Sequence, residues 1–191
     1  MLTYRVLSGP TEEPVSLADL KAHLRVTRQE ENEYLEALIT AAREYAENRT
    51  GRVLLQQSIV ALSPDWADGT FELLRNPVQS VDTVKYYDTD DVLQTLASSN
   101  YIVSPLLGWV QAKASAALPS LSGRPDAVQI TFTAGAVTVE DVPASLVHAV
   151  RLLASHWFLN RIPINIGNIV NEIPDTHRRL LDMHRLHGWV A

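Results

Sequence analysis

The chain has 191 residues, 46% of them hydrophobic and 20% charged, with a formal net charge of −6 and a pI near 5.5. That balance excludes a disordered chain, which needs low hydrophobicity and high net charge, and it offers no basic stripe for neutralising duplex phosphates. No cysteine is present, so disulfides, thiolate catalysis and Cys-ligated zinc are excluded.

The opening MLTYRVLSGPTEEPVS lacks a basic segment followed by an apolar one, and no run of about 18 apolar residues follows anywhere. The expectation is a soluble protein made in a cytoplasm. The first helix is announced by SLADLKAHL, with Ser16 and Asp19 at the spacing of a capping box and Leu17, Leu20 and Leu24 on one stripe. The acidic RQEENEY then favours the positive end of a second helix, from about Glu31 to Thr50. Leu35, Leu38, Ile39, Ala42, Tyr45 and Ala46 keep one face of it apolar, and Gly51 is placed to stop it.

Between about Val53 and Ala134 the character changes. VLLQQSIVAL, TFELLR, VDTVKYYD, VLQTLA, NYIVS and VQITFTA are short β-branched or aromatic runs, separated by SPDWADG, RNP, LLG and SGRPD. Such spacing predicts antiparallel hairpins or a meander rather than βαβ units. QAKASAALPSLSGRPD reads as a surface loop.

Helical period returns in DVPASLVHAVRLLASHWFLNR, with Asp141 as the expected N-cap, Pro143 near the start and Pro163 as the stop. INIGNIVNEIP reads as extended, and DTHRRLLDMHRLHGW as a last, more exposed helix capped by Asp175. The whole reads as α+β: N- and C-terminal helices forming a small bundle, with a central antiparallel β-sheet region. We expect a single domain over 1–191. Within it lie a helical pair at 15–51, strands at 53–134, a core helix at 143–161, and a C-terminal arm and helix at 162–191.

Few residues invite chemistry. His156 sits beside Trp157 at the margin of an apolar helix face, and His148 is two turns away, so the pair lacks zinc-helix spacing and the intervening glutamate. A hydrogen-bonded boundary histidine fits better than a ligand. His177, His184 and His187, at spacings of seven and three, would share one side of a helix, and a metal-dependent hydrolase built on them is the enzymatic alternative. Asp182 falls on a different face. Arg178, Arg179 and Arg185 nearby make this segment look like a docking surface in an acidic protein. No G-x-S-x-G elbow or phosphate loop occurs. Asp88 to Asp91 lack the glycine and distal glutamate of a calcium loop, and Trp66 and Trp109 lie next to turns as core residues or partner anchors.

In order, VSLADLKAHLRV, LEALITAAREYAENRTGRVLLQQS, LRNPVQSVDTVKYYD, YIVS, VQITFTAGA and VPASLVHAVRLLASHWFLNR resemble the head–tail connector (adaptor, or head-completion) proteins of long-tailed bacteriophages and gene transfer agents. The resemblance runs from about Val15 to the end. It implies a structural virion protein without catalysis or cofactor, made in a bacterial host and placed at the head–tail interface. There it would form a ring, typically of twelve copies, beneath the portal protein. The implied partners are the portal, a tail-side completion (stopper) or tail terminator protein, and further copies of itself, with DNA passing through unread. An acidic lumen fits that task, because a cationic one would hold the phosphates. In relatives the C-terminal segment reaches the portal, which by position makes Arg178, Arg179, Arg185 and Trp189 candidate anchors. A ring also needs one patch to meet a different patch on the neighbour. Exposed strands or the loop near Trp109, Lys113 and Arg124 are the candidates for neighbour and channel contacts. A packaging accessory that binds portal or terminase without entering the particle is the remaining alternative.

Overall fold

The computed structural model describes residues 2–161 and 176–186. The chain forms two compact units: the first from Met1–Thr11 and Gln56–Ala136, the second from Glu12–Leu55 and Val137–Ala191. The expected helical segments fall in the second unit, and the expected strand region nearly coincides with the first. The α+β class holds, with antiparallel sheets and four helices among the described residues.

The first unit contains two sheets. One has five strands in the order β1 (Thr3–Ser8), β2 (Gln57–Ser63), β8 (Val128–Ala134), β4 (Val78–Tyr87), β5 (Leu93–Thr95). The other has three, β3 (Thr70–Glu72), β7 (Trp109–Ala112), β6 (Tyr101–Ser104). Every pairing is antiparallel. Strand β8 explains why: in VQITFTA the residues Val128, Ile130, Phe132 and Ala134 alternate buried with half-buried Gln129, Thr131 and Thr133. That period of two places one face on the core. Phe132 is completely buried and meets the Tyr4 ring edge-on at 6.4 Å. The Tyr4 hydroxyl donates to the Glu72 carbonyl (3.3 Å) and accepts the Leu74 amide (2.8 Å), tying β1 to the segment after β3.

Two strand boundaries depart from the sequence reading. Strand β1 was not anticipated, because TYRVLS is exposed at five of six positions and shows no alternation. Val53–Leu55 are buried but precede β2, which begins only at Gln57. Val53 and Leu54 make no strand pairing and Leu55 makes only an isolated bridge, so their apolarity reflects packing.

The second unit holds α1 (Leu17–Leu24), α2 (Asn32–Thr50), α3 (Ala144–Leu159) and α4 (Thr176–Asp182). Ser16 caps α1 as expected: its Oγ accepts the Asp19 amide at 3.0 Å and donates to the Asp19 carboxylate at 2.8 Å. Gly51 ends α2 with φ +75°, a left-handed conformation that costs glycine little, and its N–H bonds the Glu47 carbonyl. Asp141 is not the cap of α3. It lies in a short 3-10 turn, and Pro143 occupies the cap position. Pro143 has no N–H to lose there. The core of this unit joins Leu20, Leu35, Ile39, Ala42 and Ala46 with Leu146, Ala149, Val150, Leu153 and Leu181. No described helix is long and apolar enough to cross a membrane.

Candidate assembly surfaces

The decapeptide LLASHWFLNR is structural. Trp157 meets Tyr45 edge-on at 6.1 Å and Phe158 packs near Tyr34 at 6.2 Å. Arg161 lies 4.6 Å over both the Tyr34 and Phe158 rings and pairs with Glu31 at 2.6 Å. His156 is half-buried, its Nδ1 3.3 Å from the Asn160 amide nitrogen, and its ring stacks on that of His177 at 6.5 Å. These contacts hold α3 against α2 and α4.

The histidine trio does not form as a helical stripe. Helix α4 stops at Asp182, so His184 lies in the turn beyond it. His177 faces His156, whereas His184 Nε2 is 2.6 Å from Ser145 Oγ on α3. His187 lies outside the described residues. No group of three metal-ligating side chains occurs among the described residues. Burial, with the Arg52 guanidinium nearby, pushes the His184 pKa below its ordinary value.

What α4 does carry is charge, held in place from beneath. Leu181 is fully buried, Asp182 takes both an ion pair and a hydrogen bond from Arg49 Nη2 at 2.9 Å, Arg52 Nε donates to the His184 carbonyl at 2.7 Å, and the Leu186 amide donates to the Thr50 carbonyl at 2.8 Å. Arg178, Arg179 and Arg185 are exposed on this anchored segment. Residues 176–186 hold three arginines against one aspartate, a local +2 in a chain of −6. Trp189 lies outside the described residues.

In the first unit the three-stranded sheet exposes an apolar set. Pairing of Val103 with Val110 and of Ser104 with Trp109 sends Val110 into the core and Trp109 outward. Ile102 is exposed diagonally from Trp109. The turn between β6 and β7 projects Leu106, 94% exposed, and Leu107, 57% exposed. That turn is held by the Leu107 amide on the Ser104 carbonyl, the Gly108 amide on the Pro105 carbonyl, and the Leu73 amide on the Gly108 carbonyl. Gly108 has φ +69°, and a Cβ there would stand 2.9 Å from the Leu73 carbonyl oxygen, so the turn demands glycine. Leu106 and Leu107 were missed by the sequence reading, which took LLG only as punctuation. Two leucines inside a turn were the available signal.

Lys113 is half-buried, its amide bonded to the Asn100 carbonyl. Arg124 is engaged within its own unit: it lies 3.9 Å over the Tyr87 ring, donates to Asp126 at 2.9 Å and reaches Asp91 at 3.4 Å. The Asp126 hydrogen bond raises the arginine pKa further and lowers that of the aspartate. The Trp66 indole donates to the Pro119 carbonyl at 2.8 Å and so fixes the 113–127 loop to the core. Asp88 is likewise an internal acceptor: the Gln94 side chain and the Val92 and Asp90 amides bond its carboxylate and lower its pKa.

Residues 14–103 match the family model described as "Phage gp6-like head-tail connector protein". No curated protein matches the chain. Among solved structures, a chain in the neck of an empty GTA particle, computed with C6 symmetry, is 22% identical with a TM-score of 0.76. That match covers 98% of this chain and 100% of the other. A chain from the virion of a native gene transfer agent (GTA) particle is 21% identical, TM-score 0.74, covering 96% and 95%. One from the neck of a native GTA particle, computed with C12 symmetry, is 23% identical, TM-score 0.72, covering 100% of both chains. At these identities the likeness establishes the fold.

Proposed function

From the match of residues 14–103 to the phage gp6-like head–tail connector model, we propose that the chain is a member of that family and a structural subunit of a ring, of twelve copies, joining a DNA-filled head to a tail. The observation that carries this reading is the family match together with a fold shared, end to end, with chains from GTA particle necks. Its work is geometric. Identical acidic subunits surround a channel, and DNA slides through because few phosphates are neutralised along the wall.

On this reading the C-terminal segment docks on the portal. Arg178, Arg179 and Arg185 offer charge on a segment anchored by Leu181 and the Arg49–Asp182 pair, and Trp189 belongs to the same candidate set. Trp109 and Lys113 remain candidates for contact with a neighbour or the channel, now joined by Leu106 and Leu107; Arg124 acts chiefly to brace its own loop. A tail-side completion or terminator protein completes the partner set. The protein is made in the bacterial host cytoplasm, resides in the particle, and does no catalysis.

Mass spectrometry of gradient-purified particles tests this. The chain should be present in a fixed ratio to portal, near one to one if both rings have twelve copies. Its absence from finished particles, with binding to terminase or portal in lysates, would favour the packaging-accessory reading instead.

A further inference from the structure

Among the described residues, the five-stranded sheet has two unpaired edges of complementary character. At one end β1 exposes Val6 and Leu7, and Arg5 is exposed with no partner for its guanidinium among the described residues. At the other end Val92 and Leu93 are exposed, all three residues of β5 lie open to solvent, and the turn leading into β5 carries Asp90, exposed and likewise unpaired through its carboxylate among the described residues. Neither strand contains the proline or lysine that commonly blunts an edge, although β5 is short.

The topology fixes strand direction. Four successive antiparallel pairings separate β1 from β5, so the two edges run parallel to each other. A rotation about a ring axis carries one copy onto the next without reversing direction along that axis. The β5 edge of one copy therefore presents itself to the β1 edge of its neighbour in parallel. Edges that differ from each other give a heterologous contact, which closes into rings; two like edges would give only a two-fold dimer.

We propose that β5 of each subunit pairs with β1 of the next. Val92 and Leu93 then pack beside Val6 and Leu7, and Asp90 pairs with Arg5 across the joint. The occupant is a second copy of this chain, argued from opposite charge and matching apolar residues at opposite ends of one sheet. This rests on the ring reading above and specifies which surfaces make the ring. A parallel joint of a few residues is weak alone; closure of the ring, in which every subunit is held twice, multiplies it.

The absence of cysteine makes the test clean. Particles carrying Leu7→Cys with Leu93→Cys are treated with a short bis-maleimide and run under denaturing conditions. Directly adjacent strands lie about 4.8 Å apart, within reach of the reagent. The expected result is a ladder of covalent multimers extending beyond dimer, with neither single-cysteine variant cross-linking to itself. Dimers from Leu7→Cys alone would show a like-to-like contact and overturn the proposal. So would a chain present in particles at normal copy number that yields no ladder, which leaves the ring reading standing. Absence of the unmodified chain from particles removes both. In the same cysteine background, Arg5→Asp or Asp90→Arg alone should cut species above dimer by roughly fivefold or more, given like charges facing at each joint. The double reversal should restore them. Equal loss in single and double variants, with unchanged thermal melting, contradicts the Arg5–Asp90 pairing.

Discussion

Glu47→Ala should be among the most costly single substitutions in the helical unit. Glu47 is buried in α2 and does two things at once. Its Oε2 pairs with Arg43 Nη1 at 2.9 Å, and its Oε1 accepts the Leu54 amide at 3.0 Å, holding the chain just after it leaves the helix. Arg43 is also bonded through Nε to Glu13 at 2.8 Å, whose other oxygen accepts the Thr40 hydroxyl. Removing Glu47 orphans a buried amide, at about 1–3 kcal/mol. It also strips one of three carboxylates from a buried guanidinium; losing the sole partner would cost about 3–5 kcal/mol, and Glu13 and the more distant, exposed Glu44 remain. The sum is roughly 3 kcal/mol. With a urea slope of about 2 kcal/mol per molar, the unfolding midpoint should fall by roughly 1.5 M. Circular dichroism at 222 nm reads this unit, because all four described helices belong to it. Glu44→Ala is the internal control. That carboxylate is exposed and 3.8 Å from Arg43, so its loss should cost about 0.5 kcal/mol or less. Equal midpoints for the two variants would refute the idea that the buried network locks α2 to its flanks.

Three further outcomes follow from the same geometry. Burial and Arg52 depress the His184 pKa, so the detached segment binds a proton more readily than the docked one; docking is fully supported above the ordinary value near 6.5 and weakens as pH falls through it, which hydrogen exchange at residues 176–186, normalised to the intrinsic rate at each pH, will show as smaller protection factors at pH 5 than at pH 8. Leu181→Ala deletes a fully buried side chain and should cost about 2–5 kcal/mol of local stability, with α4 amides losing protection before those of α2; the proposed docking on the portal predicts that binding to it falls along with them. Leu106→Ser changes a side chain that touches solvent, so thermal stability should stay within about 0.5 kcal/mol of the parent, while incorporation into particles drops if the turn meets a partner.

Much of the fold was legible wherever local chemistry and burial agreed. Ser16 with Asp19, and Gly51 at the end of a striped helix, act through the backbone within one turn, so sequence spacing alone locates them. The alternation in VQITFTA marks a half-buried strand for the same reason. Strand β1 was illegible because both its faces are exposed, and only its hydrogen bonds to β2 make it a strand. Nor does spacing reveal that residues 1–11 join 56–136, since that association is non-local. The candidate arginines at 178, 179 and 185 were visible as composition. Their anchoring by Arg49, Arg52 and Thr50, more than a hundred residues earlier in sequence, was not. The histidine spacing misled because it assumed a helix running past Asp182, where the structure turns to bring His184 onto Ser145.

The central claim is that this chain works by shape, as one of a closed set of identical subunits at the particle neck. Cryo-electron microscopy of particles, reconstructed around the neck without imposed symmetry, tests it most directly. The account predicts a ring into which the described fold docks, one copy per subunit, between portal and tail, with the helical unit's C-terminal segment toward the portal. A neck whose density beneath the portal is filled by a different fold would contradict it.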